Sequence, residues 1–138
     1  MNRTLAAFGA AMIAFCGCDF VWLAFVAGDY YQAQIGSLML AQPNWIAAAI
    51  FYPLYTAGIV FFCVGPALAH DSLTRASISG AFLGLVAYAT YDLTNLATLR
   101  GWPTAVAVID IVWGMFVSGV AATAGFLAGR ASSAAPRA

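Results

Sequence analysis

Four stretches of this chain run for 23 to 25 residues with at most one charge each, and no other feature limits its fold so strongly. They cover residues 5–27, 45–69, 77–99 and 104–128. About 20 residues of α-helix, rising 1.5 Å each, cross the ~30 Å hydrocarbon core of a bilayer. Alternation with period two is missing, and backbone groups in lipid must be satisfied internally. The segments are therefore expected to be helices rather than barrel strands. The predicted architecture is all-α: an integral membrane four-helix bundle forming a single transmembrane domain over residues 1–138. Composition agrees, since only 7% of residues are charged where a soluble domain has about 25%.

Several function classes drop out at once. The net charge is zero and the five basic residues, Arg3, Arg75, Arg100, Arg130 and Arg137, form no cluster. Nucleic acid is not an expected partner. Lysine is absent, which excludes Schiff-base chemistry on a lysine. Cys16, Cys18 and Cys63 lie in apolar runs and read as small buried hydrophobes. No glycine-rich phosphate loop, zinc-protease motif or haem-attachment motif is present, so neither a cofactor nor a metal is expected. The single histidine, His70, groups with Asp71 and Arg75 as loop polarity at a membrane edge.

The first apolar run is too long for the hydrophobic region of a signal peptide and lacks a clean cleavage site, so it reads as a span. In a four-span layout Arg3, Arg75, Arg130 and Arg137 fall on one side and Arg100 on the other, which predicts cytoplasmic termini. Between spans one and two, Tyr31, Ile35, Leu38 and Met39 can share a face, with Gln32, Gln34 and Ser37 turned away. That pattern predicts a short interfacial helix, ended by Pro43 and followed by Trp45 at belt depth. Short loops make helices two, three and four antiparallel neighbours. The tail from Gly129, rich in small residues and proline, is expected to fray. Glycines such as Gly80, Gly84, Gly125 and Gly129 permit close helix contact, within the bundle or between copies.

Three of the five acidic residues lie where charge is costly. Asp19, Asp92 and Asp110 each fall six to eight residues from the same end of their spans, which puts them roughly 9–12 Å below that boundary. Tyr52 and Tyr55 reach a similar depth on the second span. Three carboxylates and two phenols from four helices are thus predicted to form one layer. Tyr88, Tyr91, Asp92 and Asn95 share a helix face, with Tyr88 placed to bond Asp92 and Tyr91 to reach Asn95. Trp22 follows Asp19, and Trp113 follows Asp110, at helical spacing. With no cation at this depth the carboxylates cannot all ionise cheaply, so a shared proton or a bound cation has to supply the missing charge. Such a layer suits a ligand or catalytic site, a proton-coupling site for transport, or a structural hydrogen-bond network, and spacing alone does not choose among them.

The run Tyr88-Ala89-Thr90-Tyr91-Asp92-Leu93-Thr94-Asn95 is more distinctive than these general patterns. With Asp19 and Trp22, Asn44-Trp45, Tyr52 to Gly58, and Gly101-Trp102-Pro103 leading to Asp110 and Trp113, it resembles a bacterial family of small membrane proteins catalogued as domain of unknown function 2177. The resemblance covers the chain from Asp19 to Trp113. It implies a four-span protein of the bacterial inner membrane without an assigned activity. It also implies a setting among lipid-modifying enzymes, including cyclopropane-type fatty-acid methyltransferases and flavin-dependent oxidoreductases, and so points to lipid or isoprenoid metabolism.

The combined expectation is a membrane protein that binds or processes a lipid-like molecule among its helices. Asp92 and Asp19 would hold its polar end or move a proton, with Asp110 beside them. Tyr88, Tyr91, Asn95, Tyr52, Tyr55, Trp22 and Trp113 would line the site. Whether it is an enzyme stays open. A proton-coupled small exporter and an accessory subunit of a larger membrane complex are the alternatives. Expected partners are membrane lipids, the lipid-like small molecule, and either a second copy of the chain or a larger membrane assembly.

Overall fold

Helix-favouring apolar runs broken by polar caps give a chain that is helical almost throughout in a computed structural model, which describes residues 2–134. α1 (Arg3–Val21) starts where the Asn2 side chain accepts the Thr4 N–H at 3.0 Å, and continues through a π turn at Trp22–Val26. α2 (Gly28–Ile35) follows, then a 3-10 turn at Gly36–Leu38. α3 (Trp45–Ile59) is capped by Asn44, passes through a second π turn at Val60–Val64, and ends in α4 (Gly65–Ala69). α5 (Leu73–Thr98) starts at the Ser72 cap, and α6 (Thr104–Ala134) completes the bundle. Capping side chains satisfy backbone donors that a helix start otherwise leaves unbonded.

Three helical runs, Arg3–Val26, Trp45–Ala69 and Thr104–Ser133, are long and apolar enough to cross a membrane. α5 has the length, at 26 residues, but is the least apolar of the four long helices. The molecule is an all-α, multi-span membrane bundle. Large apolar side chains cover its outside, Ile13 and Ile46 being 77% and 76% exposed, as a lipid solvent allows.

The expected interfacial helix is present as α2 with its 3-10 turn, though its apolar face is only half used. Tyr31 is buried and Ile35 partly so, while Leu38 and Met39 stay exposed. The expectation of a frayed tail from Gly129 is corrected, because α6 stays helical to Ala134. Close packing accounts for this: Gly129 sits against Ala7 and Leu68, and Arg130 holds Asp71 through an ion pair at 2.9 Å. Arg137 lies outside the described residues.

Small residues on two faces of α6 set the packing. On one side Gly125 and Gly129 meet Ala7 and Ala11 of α1. On the other, α5 approaches so closely that a Cβ on Gly84 would overlap the Gly114 carbonyl, and one on Gly80 would press on Ala122. The glycine faces thus bring helices of this chain together. α3 joins late. Trp45, Ile46, Ile50 and Leu54 are exposed, Tyr52 and Tyr55 pack against Phe15, and from Thr56 onward the helix enters the core with Ile59, Val64, Val117 and Phe126.

Candidate functional site

The two ends of the bundle are built differently. At the Arg3 end small apolar residues make the core, with the Ser77–Thr123 hydrogen bond and the Arg130–Asp71 ion pair at its margin, whereas towards α2 the contacts become aromatic and carboxylic. Asp19 of α1 is nearly buried, and it accepts the Tyr52 hydroxyl at 3.1 Å and the Trp113 indole N–H at 2.9 Å. Three helices therefore converge on one carboxyl. Beneath it Phe15, Phe51, Tyr52 and Tyr55 form an aromatic cluster, and Tyr55 shares a 2.9 Å hydrogen bond with Ser118.

A second group forms around Asp110. The Tyr31 hydroxyl donates to its carboxyl, and the Trp22 indole N–H donates to the Tyr31 oxygen at 3.1 Å. Burial and the adjacent Asp110 carboxyl push the Tyr31 phenol above its ordinary pKa, which keeps it a donor. Tyr31 reaches this position because the π turn at Trp22–Val26 ends α1 with the Ala27 N–H bonded to the Trp22 carbonyl at 2.7 Å. α2 then starts at Gly28, where a Cβ would overlap the Leu23 carbonyl, so only glycine fits. Trp22 and Trp113 stack with ring centroids 4.4 Å apart and planes 7° from parallel, which joins the two groups. On one side of this pair a groove of about 370 Å³ is lined by Gly17, Cys18, Val21, Val26 and Phe116 together with the two indoles.

Asp92 differs from both. It is 0% exposed, and neither carboxyl oxygen has a hydrogen-bond partner among the described residues. The Trp102 indole N–H lies close enough to interact with it but does not meet hydrogen-bond geometry, and is itself buried without a partner. Asp110 is near enough for the two carboxylates to interact electrostatically. The expected Tyr88–Asp92 bond does not form. Tyr88 lies instead against Gly114, where a Cβ would strike its ring, and edge-on to Tyr55 with ring centroids 6.4 Å apart. The Tyr91 phenol lies beside Asn95, and its ring meets Trp102 edge-on at 5.8 Å. Among the described residues no group of three metal-ligating side chains is close enough to hold an ion.

Tyr31, Trp102 and Ser118 were not among the sequence candidates, although each touches the layer. The hints in the sequence were Tyr31 on the apolar face of the expected interfacial helix and Trp102 within the Gly101-Trp102-Pro103 stretch of the family resemblance. Ser118 gave none beyond its residue type.

A helical bundle with exposed apolar faces and a buried carboxyl layer defines the class: a multi-pass membrane protein. The chain belongs to the family described as Predicted membrane protein (DUF2177), which it matches over residues 4–127. No curated protein and no solved structure matches it.

Proposed function

We propose that this is a four-span protein of the bacterial inner membrane, with both termini cytoplasmic. It holds a lipid-like molecule by its polar group at Asp92, in a lipid-modifying setting. The observation that carries this reading is the fully buried Asp92 carboxyl with both oxygens unpartnered. Burying an unbonded polar group costs roughly 1–3 kcal/mol, and more when it is charged. A chain that keeps such a group is expected to use it. Hydroxyl or amine donors of a ligand head would complete Asp92, and the Trp102 N–H would serve an acceptor on the same head.

α5 as the remaining span is supported by how it hides its hydroxyls. Thr90, Thr94 and Thr98 donate to the carbonyls of Val86, Thr90 and Thr94 at 2.6, 2.5 and 2.7 Å, so these three exposed hydroxyls offer lipid no unbonded donor. Arg3, Arg75 and Arg130 cluster at the end opposite Arg100, which supports cytoplasmic termini.

Asp19 and Asp110 already accept protein donors, so their part is to position the layer, and Asp92 is the working carboxyl. The same ranking applies if the molecule is exported with a proton, a reading that otherwise rests on Asp19. Native mass spectrometry of the gently extracted protein, with Asp92→Asn alongside, tests the assignment. A defined lipid-like mass lost in the variant supports it. A protein partner retained stoichiometrically by both forms, with no such mass, would replace the ligand site by a subunit role.

A further inference from the structure

At the opposite end of the bundle, a different set of groups lines a surface groove. Asp71 adopts a left-handed backbone conformation (φ 45°) in the turn before α5. Its carboxylate accepts two donors from Arg130, Nε at 2.9 Å and Nη2 at 3.1 Å. This pairing removes the one acidic group in the turn from the local charge balance. Arg75 and His70 are left facing a shallow groove of about 650 Å³, which Ser72, Thr74, Ile78 and Phe82 also line. Among the described residues neither the Arg75 guanidinium nor the His70 ring has an acidic partner.

Depth matters as much as charge. From Thr74 to Phe82 α5 rises about 12 Å, from a headgroup level into the acyl region. Polar and basic groups therefore sit at the mouth, and Ile78 and Phe82, 65% and 63% exposed, form the apolar wall beyond it. The Ser72 oxygen accepts the Arg75 N–H at 3.2 Å, which leaves its own proton free to donate. Guanidinium, hydroxyl donors and an adjoining apolar wall match one kind of molecule, a phospholipid with an anionic headgroup.

We propose that the groove of Arg75, His70, Ser72, Thr74, Ile78 and Phe82 binds an anionic phospholipid. The phosphate sits against Arg75 and the Ser72 and Thr74 hydroxyls, and an acyl chain lies along Ile78 and Phe82. This site is separate from Asp92 and rests only on α5 crossing the membrane, as proposed above.

The test is native mass spectrometry of the full chain in detergent, titrated with phosphatidylglycerol and with phosphatidylcholine of identical acyl chains. The wild-type protein is expected to retain phosphatidylglycerol preferentially. Arg75→Gln should reduce that preference about fivefold, the effect of one arginine at a charged membrane surface. Arg3→Gln, at the same end but outside the groove, should leave it in place. Three results would overturn the proposal: equal retention of the two lipids, loss of preference in Arg3→Gln but not in Arg75→Gln, or full displacement of the lipid by glycerol 1-phosphate alone. The last would identify a phosphate site without a lipid groove. The Asp92→Asn variant should keep the preference, so failure of either site is read independently of the other.

Discussion

The α5–α6 seam and the carboxyl layer both fasten other helices to α6, by opposite means. In the seam Gly80 and Gly84 meet Gly114, Ser118 and Ala122 with backbones nearly touching, and shape dominates the contact, with a Ser77–Thr123 hydrogen bond at its end. In the layer long side chains span the gaps, and Asp19 and Asp110 bridge the helices through directed bonds to Tyr52, Trp113 and Tyr31. The contrast shows where this molecule keeps its polar groups. Close packing leaves no space for chemistry, whereas a layer spaced by aromatic rings does. Within that layer one carboxyl, Asp92, is left unbonded.

Substitutions should separate the two regions. Gly84→Leu is expected to be the most damaging, at about 3 kcal/mol, because a side chain there has to push whole helices apart. Gly17→Leu, with nothing within 4 Å of the added Cβ, should leave thermal unfolding in detergent unchanged. If both variants melt alike, the seam is not what holds α5 to α6. Next comes Asp19→Val, which strands two donors and should cost about 2 kcal/mol. It should also weaken the near-ultraviolet circular dichroism of the stacked Trp22–Trp113 pair, since Trp113 loses its anchor.

The same change at Asp92 carries the opposite sign. Asp92→Val removes a buried group that has no partner and should stabilise the fold by about 1 kcal/mol. Clear destabilisation in chemical unfolding would mean that Asp92 is a structural bond, and the contrast with Asp19 would fall. A destabilisation of similar size, about 1 kcal/mol, is expected for Tyr31→Phe, which removes two hydrogen bonds of roughly 0.6 kcal/mol each between helices. Hydrogen exchange should show that loss concentrated in α2 rather than spread over the bundle.

Much of this was readable from the sequence, and the exceptions have physical causes. Counting residues from the span ends put Asp19 and Tyr52 at one depth, and they bond. Depth is set by helix rise, which sequence reports well. Azimuth is less secure. Tyr88 and Asp92 share a face by spacing, yet the Tyr88 ring is drawn into the notch at Gly114, a partner on another helix that spacing cannot reveal. Tyr31 was legible as a residue of the apolar face of α2, but its route to Asp110 depends on the wide turn at Trp22–Val26, which has no local signature. The helical tail to Ala134 was hidden for a similar reason. Its hold comes from Ala7, Leu68 and Asp71, all distant in sequence.

The wide turn at Val60–Val64 sets the phase of the second helical run. It precedes Pro66, which lacks the N–H that would continue the α pattern, and it takes up one residue more than an α turn. Each residue in a helix is worth about 100° of rotation. The half bearing Tyr52 and the half bearing Cys63 and Val64 are therefore two cylinders clocked against each other. Chain length between them acts as a dial: remove one residue and Tyr52 swings away from Asp19, although no side chain in the layer has been altered.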